Sequence, residues 1–318
     1  MKTVVMLGGL GSQMFKYAFY LHLQEKSDEK CYISTVPYSL KKMWNGYELE
    51  RIFNLNVEKI EDSFTDSQKN NYYRNEIGYI DILFRMMNYI EPNKTMCRIN
   101  RGCMDYGTER NIKQKIHQKV QNTYIKLKKI EEYVDEYIPF YWKIKGNVIY
   151  DEFNHTSDKY IKLQKEKLKN VFRFPAFDTQ LNEQVSQEML SVESVAVHVR
   201  RGDHMYDNKA LFDREYFKRA ITYVKNKVKC PVFYIFSDDF EWCRNNLKEL
   251  GLSESDSLCY VNWNEEKESF RDMQLMTYCK HNILCISSFS WWGYYLSKHT
   301  DKIVCAPKEY WFEVNKHF

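Results

Sequence analysis

What this chain lacks bounds it before any motif is considered. No stretch of its 318 residues approaches the ~20 consecutive apolar residues that a membrane-spanning helix needs. The opening MKTVVMLGGLGSQ breaks its short apolar run with glycines, so it reads as a first strand and not as a signal peptide. Nor is there an internal repeat or a low-complexity tract. The nine cysteines, Cys31, Cys97, Cys103, Cys230, Cys243, Cys259, Cys279, Cys285 and Cys305, are odd in number and contain no CxxC pair, which argues against a disulfide framework or a zinc site. Reduced, mostly buried thiols in a cytoplasmic protein are expected instead. A third glycine is also missing: Gly9 and Gly11 are followed by Met14 where a dinucleotide fingerprint needs glycine, which disfavours a nicotinamide oxidoreductase.

Charge excess is small as well, a formal +4, and it is local. Thirteen lysines lie between Asn111 and Asn170 against eight acidic residues. Such a stretch reads first as a solvated helical face, and second as a surface resting peripherally on anionic lipid at the inner face of a membrane. No nucleic-acid motif accompanies it, so nucleic acid is not expected as a partner. Hydrophobic residues make up 44% and aromatics 16%, with 25 tyrosines, which is the profile of a packed globule and excludes disorder as the main state. The length exceeds one ordinary core and predicts two lobes, residues 1–175 and 176–318, with a ligand cleft where they face each other.

Near the amino terminus, a strand from Thr3 to Leu7, a Gly8-Gly9-Leu10-Gly11 turn and a helix from about Ser12 to Glu25 form a β-turn-α unit. A second strand covers Cys31 to Ser34, and from there to about Pro175 helix is expected to dominate, with few clean strands. From Ser194 short apolar runs alternate with helical patterns. Strands are expected at Val195–Val199, Val232–Phe236, Leu258–Val261, Ile283–Ile286 and Ile303–Cys305, and helices at Phe240–Glu249, Ser269–Lys280 and Phe289–Ser297. The alternation predicts an α/β fold with a parallel sheet wound on both faces, binding ligands at the carboxyl ends of its strands.

Three motifs fall at those strand ends. In His198-Val199-Arg200-Arg201-Gly202-Asp203, alternation turns His198 and Arg200 to one side, and an arginine there offers a fixed donor fork to a diphosphate. That charge suits cleavage of a sugar-diphosphate bond, whose leaving group gains negative charge. Arg201 and Asp203 read on their own as a surface ion pair. In Ser287-Ser288-Phe289-Ser290-Trp291-Trp292-Gly293 a serine pair opens a helix, as an ordinary N-cap or as an anion site; the two tryptophans read as core. In Ser237-Asp238-Asp239 the carboxylates either hold a divalent metal or cap the following helix. Asp272, in the helix before the serine-bearing strand, is a fourth candidate. The glycine turn adds a backbone that a ligand can approach closely.

These blocks, in order, resemble glycosyltransferase family 11, the alpha-1,2-fucosyltransferases of bacterial type. GGLGSQMFKYA (Gly8–Ala18) is similar to that family's GGLGNQMFQYA, and NGYELERIFN (Asn45–Asn54), HVRRGD, FSDD, RDMQLMTYCKHNI and SSFSWWG continue the match. The resemblance implies a GT-B-like fold of two Rossmann-type domains facing a central cleft, the first on the acceptor side and the second binding the GDP sugar. It implies an inverting, metal-independent transfer of L-fucose from GDP-fucose to the 2-hydroxyl of a galactose in an oligosaccharide or lipid-linked glycan. Arg200 then contacts the donor diphosphate, His198 lies by the nucleoside, Asp272 reads guanine, and Ser287, Ser288 and Phe289, with Asp238, complete the donor site. Gly9, Gly11, Ser12 and Gln13 form the loop contributed by the first domain. Asp203 is nominated as the general base, with Asp207 and the substrate phosphate as alternatives. Two departures bear on the acceptor: Ser12 stands where the family has asparagine, and Phe140-Tyr141-Trp142-Lys143 replaces a Gly-Tyr-Phe-Gln block. They leave open transfer of another sugar or linkage, or a catalytically impaired glycan- or nucleotide-sugar-binding protein.

Overall fold

The computed structural model describes residues 1–74, 78–100, 103–105, 143–151, 158–202 and 213–307, and the chain divides into two units, Met1–Arg173 and Phe174–Phe318. In the first, the opening apolar run forms β1 (Lys2–Val5), buried over its whole length. Gly8 then turns the chain at φ +91° into the helix Leu10–Lys26. A Cβ at Gly8 would stand 2.9 Å from the Ser12 Cβ, so both the backbone angle and the space call for glycine here.

Beside β1 runs β2 (Cys31–Ser34). Three further strands follow: β3 (Met96–Asn100), β4 (Cys103–Asp105) and β5 (Asn147–Tyr150). The sheet order is β2-β1-β5-β3-β4, parallel except for the β3–β4 hairpin. Helix does predominate among the described residues of the middle segment, as expected, but that segment also supplies three short strands of the sheet. These strands escape pattern reading because each is five residues or fewer and polar groups interrupt them. Arg98 in β3 donates from Nε to Asp151 at 2.9 Å, and the Tyr79 hydroxyl donates to the same fully buried carboxylate at 2.9 Å. Aromatic edges pack the helix Leu10–Lys26 onto the sheet, with Phe19 5.2 Å from Tyr150 between ring centroids, and onto the helix Asp158–Leu163, with Phe19 5.0 Å from Tyr160.

The second unit contains β6 (Glu193–Val199), β7 (Pro231–Ser237), β8 (Ser257–Tyr260), β9 (His281–Ile283) and β10 (Val304–Cys305). All are parallel, in the order β10-β9-β6-β7-β8. The chain steps outward from β6 through β7 to β8, then returns to the other side of β6 as β9. That reversal opens a crevice between the carboxyl ends of β6 and β9, the place where an open α/β sheet accepts a ligand. Val195 and Val197 pack with Phe217, Ile221 and Val224 on one face of the sheet. Ala196 packs with Leu275, Met276 and Cys279 on the other, as strand alternation requires.

Five strands appear where the sequence pattern places them, but β9 lies earlier than Ile283–Ile286. His281 and Asn282 are buried polar residues in a strand paired on both sides, and the His281 Nδ1 accepts the Ile303 N–H at 3.0 Å. Their polarity disguises them as the end of a helix. The helix expected over Phe240–Glu249 is two short ones, Phe240–Asn245 and Leu247–Leu250, and that over Ser269–Lys280 is limited to Phe270–Met276. Trp291 and Trp292 are core residues, with ring planes at 89°. Among the described residues the cysteines are free thiols, mostly buried, and no helix is long and apolar enough to cross a membrane. Residues 106–142, which carry much of the lysine-rich stretch, and the Phe140-Tyr141-Trp142 departure lie outside the described residues.

Candidate functional site

The register between β6 and its two neighbours decides which motifs meet. Val197 pairs with Ile283 of β9, and Val199 with Ser237 of β7. His198-Val199-Arg200 therefore leaves the sheet with the Ser287 turn on one side and Asp238 on the other. His198 is buried, its Nδ1 3.0 Å from the Cys285 thiol and its ring 5.8 Å from that of Phe289. Burial pushes the Cys285 thiol up to about 12, so this pair is a wall of the crevice and not an activated nucleophile.

Arg200 lies half-buried at the mouth, its Nε 3.7 Å from Asp238. That carboxylate also accepts the backbone N–H groups of Arg201 at 2.8 Å and Gly202 at 3.1 Å. A Cβ at Gly202 would stand 2.9 Å from Asp238 Oδ2, so glycine lets the carboxylate approach. Asp238, expected among the donor-binding residues, thus ties the ends of β6 and β7 together and positions Arg200. Asp239 accepts the Trp242 N–H at 3.0 Å as the cap of Phe240–Asn245, and the Arg201 Nε at 3.0 Å, with the Arg201 guanidinium 3.9 Å over the Trp242 ring. The capping reading of Asp239 holds, and Asp239 is also an ion-pair partner of Arg201. Asp203 and Asp207 lie outside the described residues.

Across the crevice, Ser287 is the N-cap of the helix Ser288–Leu296 and its hydroxyl accepts the Phe289 N–H at 3.2 Å. The Ser290 hydroxyl turns inward to the Cys285 and Ser287 carbonyls. The first turn of such a helix has N–H groups outside the helical ladder and the positive end of the macrodipole. Arg200 and this helix start are two electropositive features among the described residues at the β6/β9 reversal.

Asp272 lies on Phe270–Met276, which packs directly on Ser288–Leu296. Contact is close because residue 293 is glycine: a Cβ there would stand 2.7 Å from the Met276 Cβ. Gly293→Ala is accordingly expected to destabilise the unit by about 1–3 kcal/mol through overpacking, read as a lowered Tm in thermal unfolding; an unchanged Tm contradicts this packing account. Burial pushes the Asp272 carboxyl up to about 7, against the opposing hydrogen bond that Asn264 Nδ2 donates to Oδ1 at 2.8 Å. Asn264 is itself fixed by the buried Asn182, whose Oδ1 also accepts from Trp263 Nε1 at 2.8 Å. Sequence reading missed Asn182 and Asn264, since an asparagine carries no pattern until its partner is known.

In the first unit, the turn Gly8–Gly11 follows β1. Gly9 is half-buried and Gly11 buried, with Ser12 beneath Gly8. Gln13 is corrected from its expected place on the ligand side. It is fully buried, and its Nε2 lies within donating distance of the Gly8 carbonyl at 3.0 Å, the Gly46 carbonyl at 2.8 Å and the Tyr38 hydroxyl at 3.0 Å, while its Oε1 accepts the Glu48 N–H. The amide holds the turn and is not presented from it.

The family model described as glycosyl transferase family 11 matches residues 3–314. An alpha-1,2-colitosyltransferase of Escherichia coli is 28% identical over 312 residues, 96% of this chain and 90% of that protein. The galactoside 2-alpha-L-fucosyltransferase SEC1 of Bos taurus is 31% identical over 108 residues, 32% of this chain and 28% of that protein. Among solved structures, the NodZ alpha-1,6-fucosyltransferase soaked with GDP-fucose superposes with a TM-score of 0.50 at 13% identity, covering 94% of each chain. The shared architecture is the α/β, GT-B-like fold. With parallel-sheet units of that kind and a match that runs almost end to end, the chain belongs to glycosyl transferase family 11.

Proposed function

We propose that this glycosyltransferase moves L-fucose, or its 3-deoxy form colitose, from a GDP conjugate to the 2-hydroxyl of a galactose in a free or lipid-linked glycan, with inversion at the anomeric carbon. One observation carries the reading: Arg200 and the start of Ser288–Leu296 follow the carboxyl ends of β6 and β9, the two strands that border the reversal. A diphosphate placed there meets a fixed cation and a helix N-terminus, so charge growing on the leaving group is stabilised without a metal. Asp272 supports guanine as the base, because a carboxylate accepts the N1 and N2 protons together. For the acceptor proton, position in the sequence nominates Asp203.

Colitose is kept beside fucose because the similarity to the colitosyltransferase spans 96% of the chain, whereas that to the galactoside fucosyltransferase spans 32%. The test supplies GDP-fucose and GDP-colitose separately, with a panel of β-galactosides, and determines the linkage of each product by NMR. An alpha-1,2-linked product from either donor, undiminished by EDTA, is expected. Transfer from a UDP sugar alone, another linkage, or loss of more than about tenfold of turnover in EDTA overturns the corresponding part.

A further inference from the structure

The loop that Gln13 holds against the glycine turn carries an exposed tryptophan. Trp44 is 54% exposed, and three features define where it stands. Its indole faces Gly9 across the space of a methyl group: a Cβ built there would be 3.5 Å from Cδ1, 3.7 Å from Cγ and 3.8 Å from Nε1. Its backbone sits at φ +45°, in the left-handed region that a bulky residue rarely occupies. The turn is closed by the Gly46 N–H donating to the Met43 carbonyl at 3.0 Å and anchored by Gln13 Nε2 on the Gly46 carbonyl at 2.8 Å.

A large apolar ring held out to solvent, on a strained and doubly anchored turn, at the carboxyl end of β1, is a preorganised surface. Resting on the proposed transfer to a glycan, we infer that Trp44 is a stacking platform for a pyranose ring of the acceptor. The apolar C–H face of a galactose is the chemistry that fits an indole presented beside polar backbone. A lipid anchor is the competing occupant, since Leu40, Lys41 and Lys42 are exposed nearby. An interfacial anchor, however, gains by inserting freely into the headgroup region, whereas this ring faces the glycine turn from a backbone set at φ +45° in an anchored turn. Fixed placement serves recognition of a shape.

The experiment compares wild type with Trp44→Asn and Trp44→Phe. Asparagine tolerates the left-handed backbone, so its Tm is expected to equal or exceed that of the wild type, which removes misfolding as an explanation. With GDP-fucose or GDP-colitose as donor, Trp44→Asn is expected to raise the KM for a β-galactoside by about tenfold or more, the weight of one aromatic contact, while Trp44→Phe recovers most of it. The Kd for GDP, measured by calorimetry, is expected to stay within about twofold. If the wild type turns over neither donor, the proposed transfer has failed on its own terms, and saturation-transfer NMR of the β-galactoside decides the platform: signal lost in Trp44→Asn supports it, and equal signal overturns it. An unchanged KM overturns it too, as does loss of binding to anionic vesicles with the KM intact, which assigns the loop to a membrane surface.

Discussion

Arg200→Ala is expected to lower turnover by roughly 100- to 1,000-fold, the loss typical of removing one preorganised donor to a developing anion. The geometry makes this a test of chemistry. Arg200 is 3.7 Å from Asp238, a long pairing, and Asp238 keeps its two backbone N–H partners when the guanidinium is removed. The β6–β7 connection should hold and the Tm should move little. Arg200→Lys is expected to recover only part of the activity, because an ammonium is a point charge that cannot present a planar fork to two phosphate oxygens. Steady-state rates at saturating donor check the first outcome. Near-normal turnover in Arg200→Ala would sink the assignment of the diphosphate to the β6/β9 crevice.

The second large effect concerns Asp272. With its carboxyl raised to about 7 by burial, the free protein holds it protonated in mild acid. A protonated carboxyl offers one acceptor fewer to the guanine edge, so donor affinity is expected to fall below about pH 7, by up to about tenfold per pH unit, and to level off above it. Asp272→Asn should raise the donor KM by about 100-fold and abolish that limb of the profile, since an amide N–H₂ confronts guanine with a second donor. Stability runs in the opposite sense. A carboxyl whose folded value is raised contributes stability that is present below its unfolded value and lost as pH rises through about 7. Unfolding with and without GDP across that range separates the two effects. A donor KM independent of pH in the wild type would remove Asp272 from guanine recognition.

Much of the second unit is readable in the sequence because its central strands are buried over most of their length and so appear as short apolar runs. The Val195–Val199 and Val232–Phe236 patterns survive almost unchanged as β6 and β7. Where a strand instead buries polar side chains that have partners elsewhere, as β9 buries His281 and Asn282, the pattern fails by two residues. The first unit defeats pattern reading more widely, since β3 to β5 are brief and Arg98 and Asp151 pair where hydrophobic residues would be sought. At the site, Arg200 and Ser287 were legible because strand ends and helix caps have local signatures. The work of Asp238, Gln13 and Asn264 was not, because it depends on partners 37, 33 and 82 residues away in sequence.

The Gln13 staple reaches almost wholly to main chain: the Gly8 and Gly46 carbonyls and the Glu48 N–H. Main-chain atoms are the same whatever side chain accompanies them. Substitution at Met43, Trp44 or Asn45 therefore leaves intact the bonds by which the staple sets the loop against the sheet. Such an arrangement separates the two jobs: side chains of the loop can be exchanged while the main-chain frame beside the β1 turn keeps its shape.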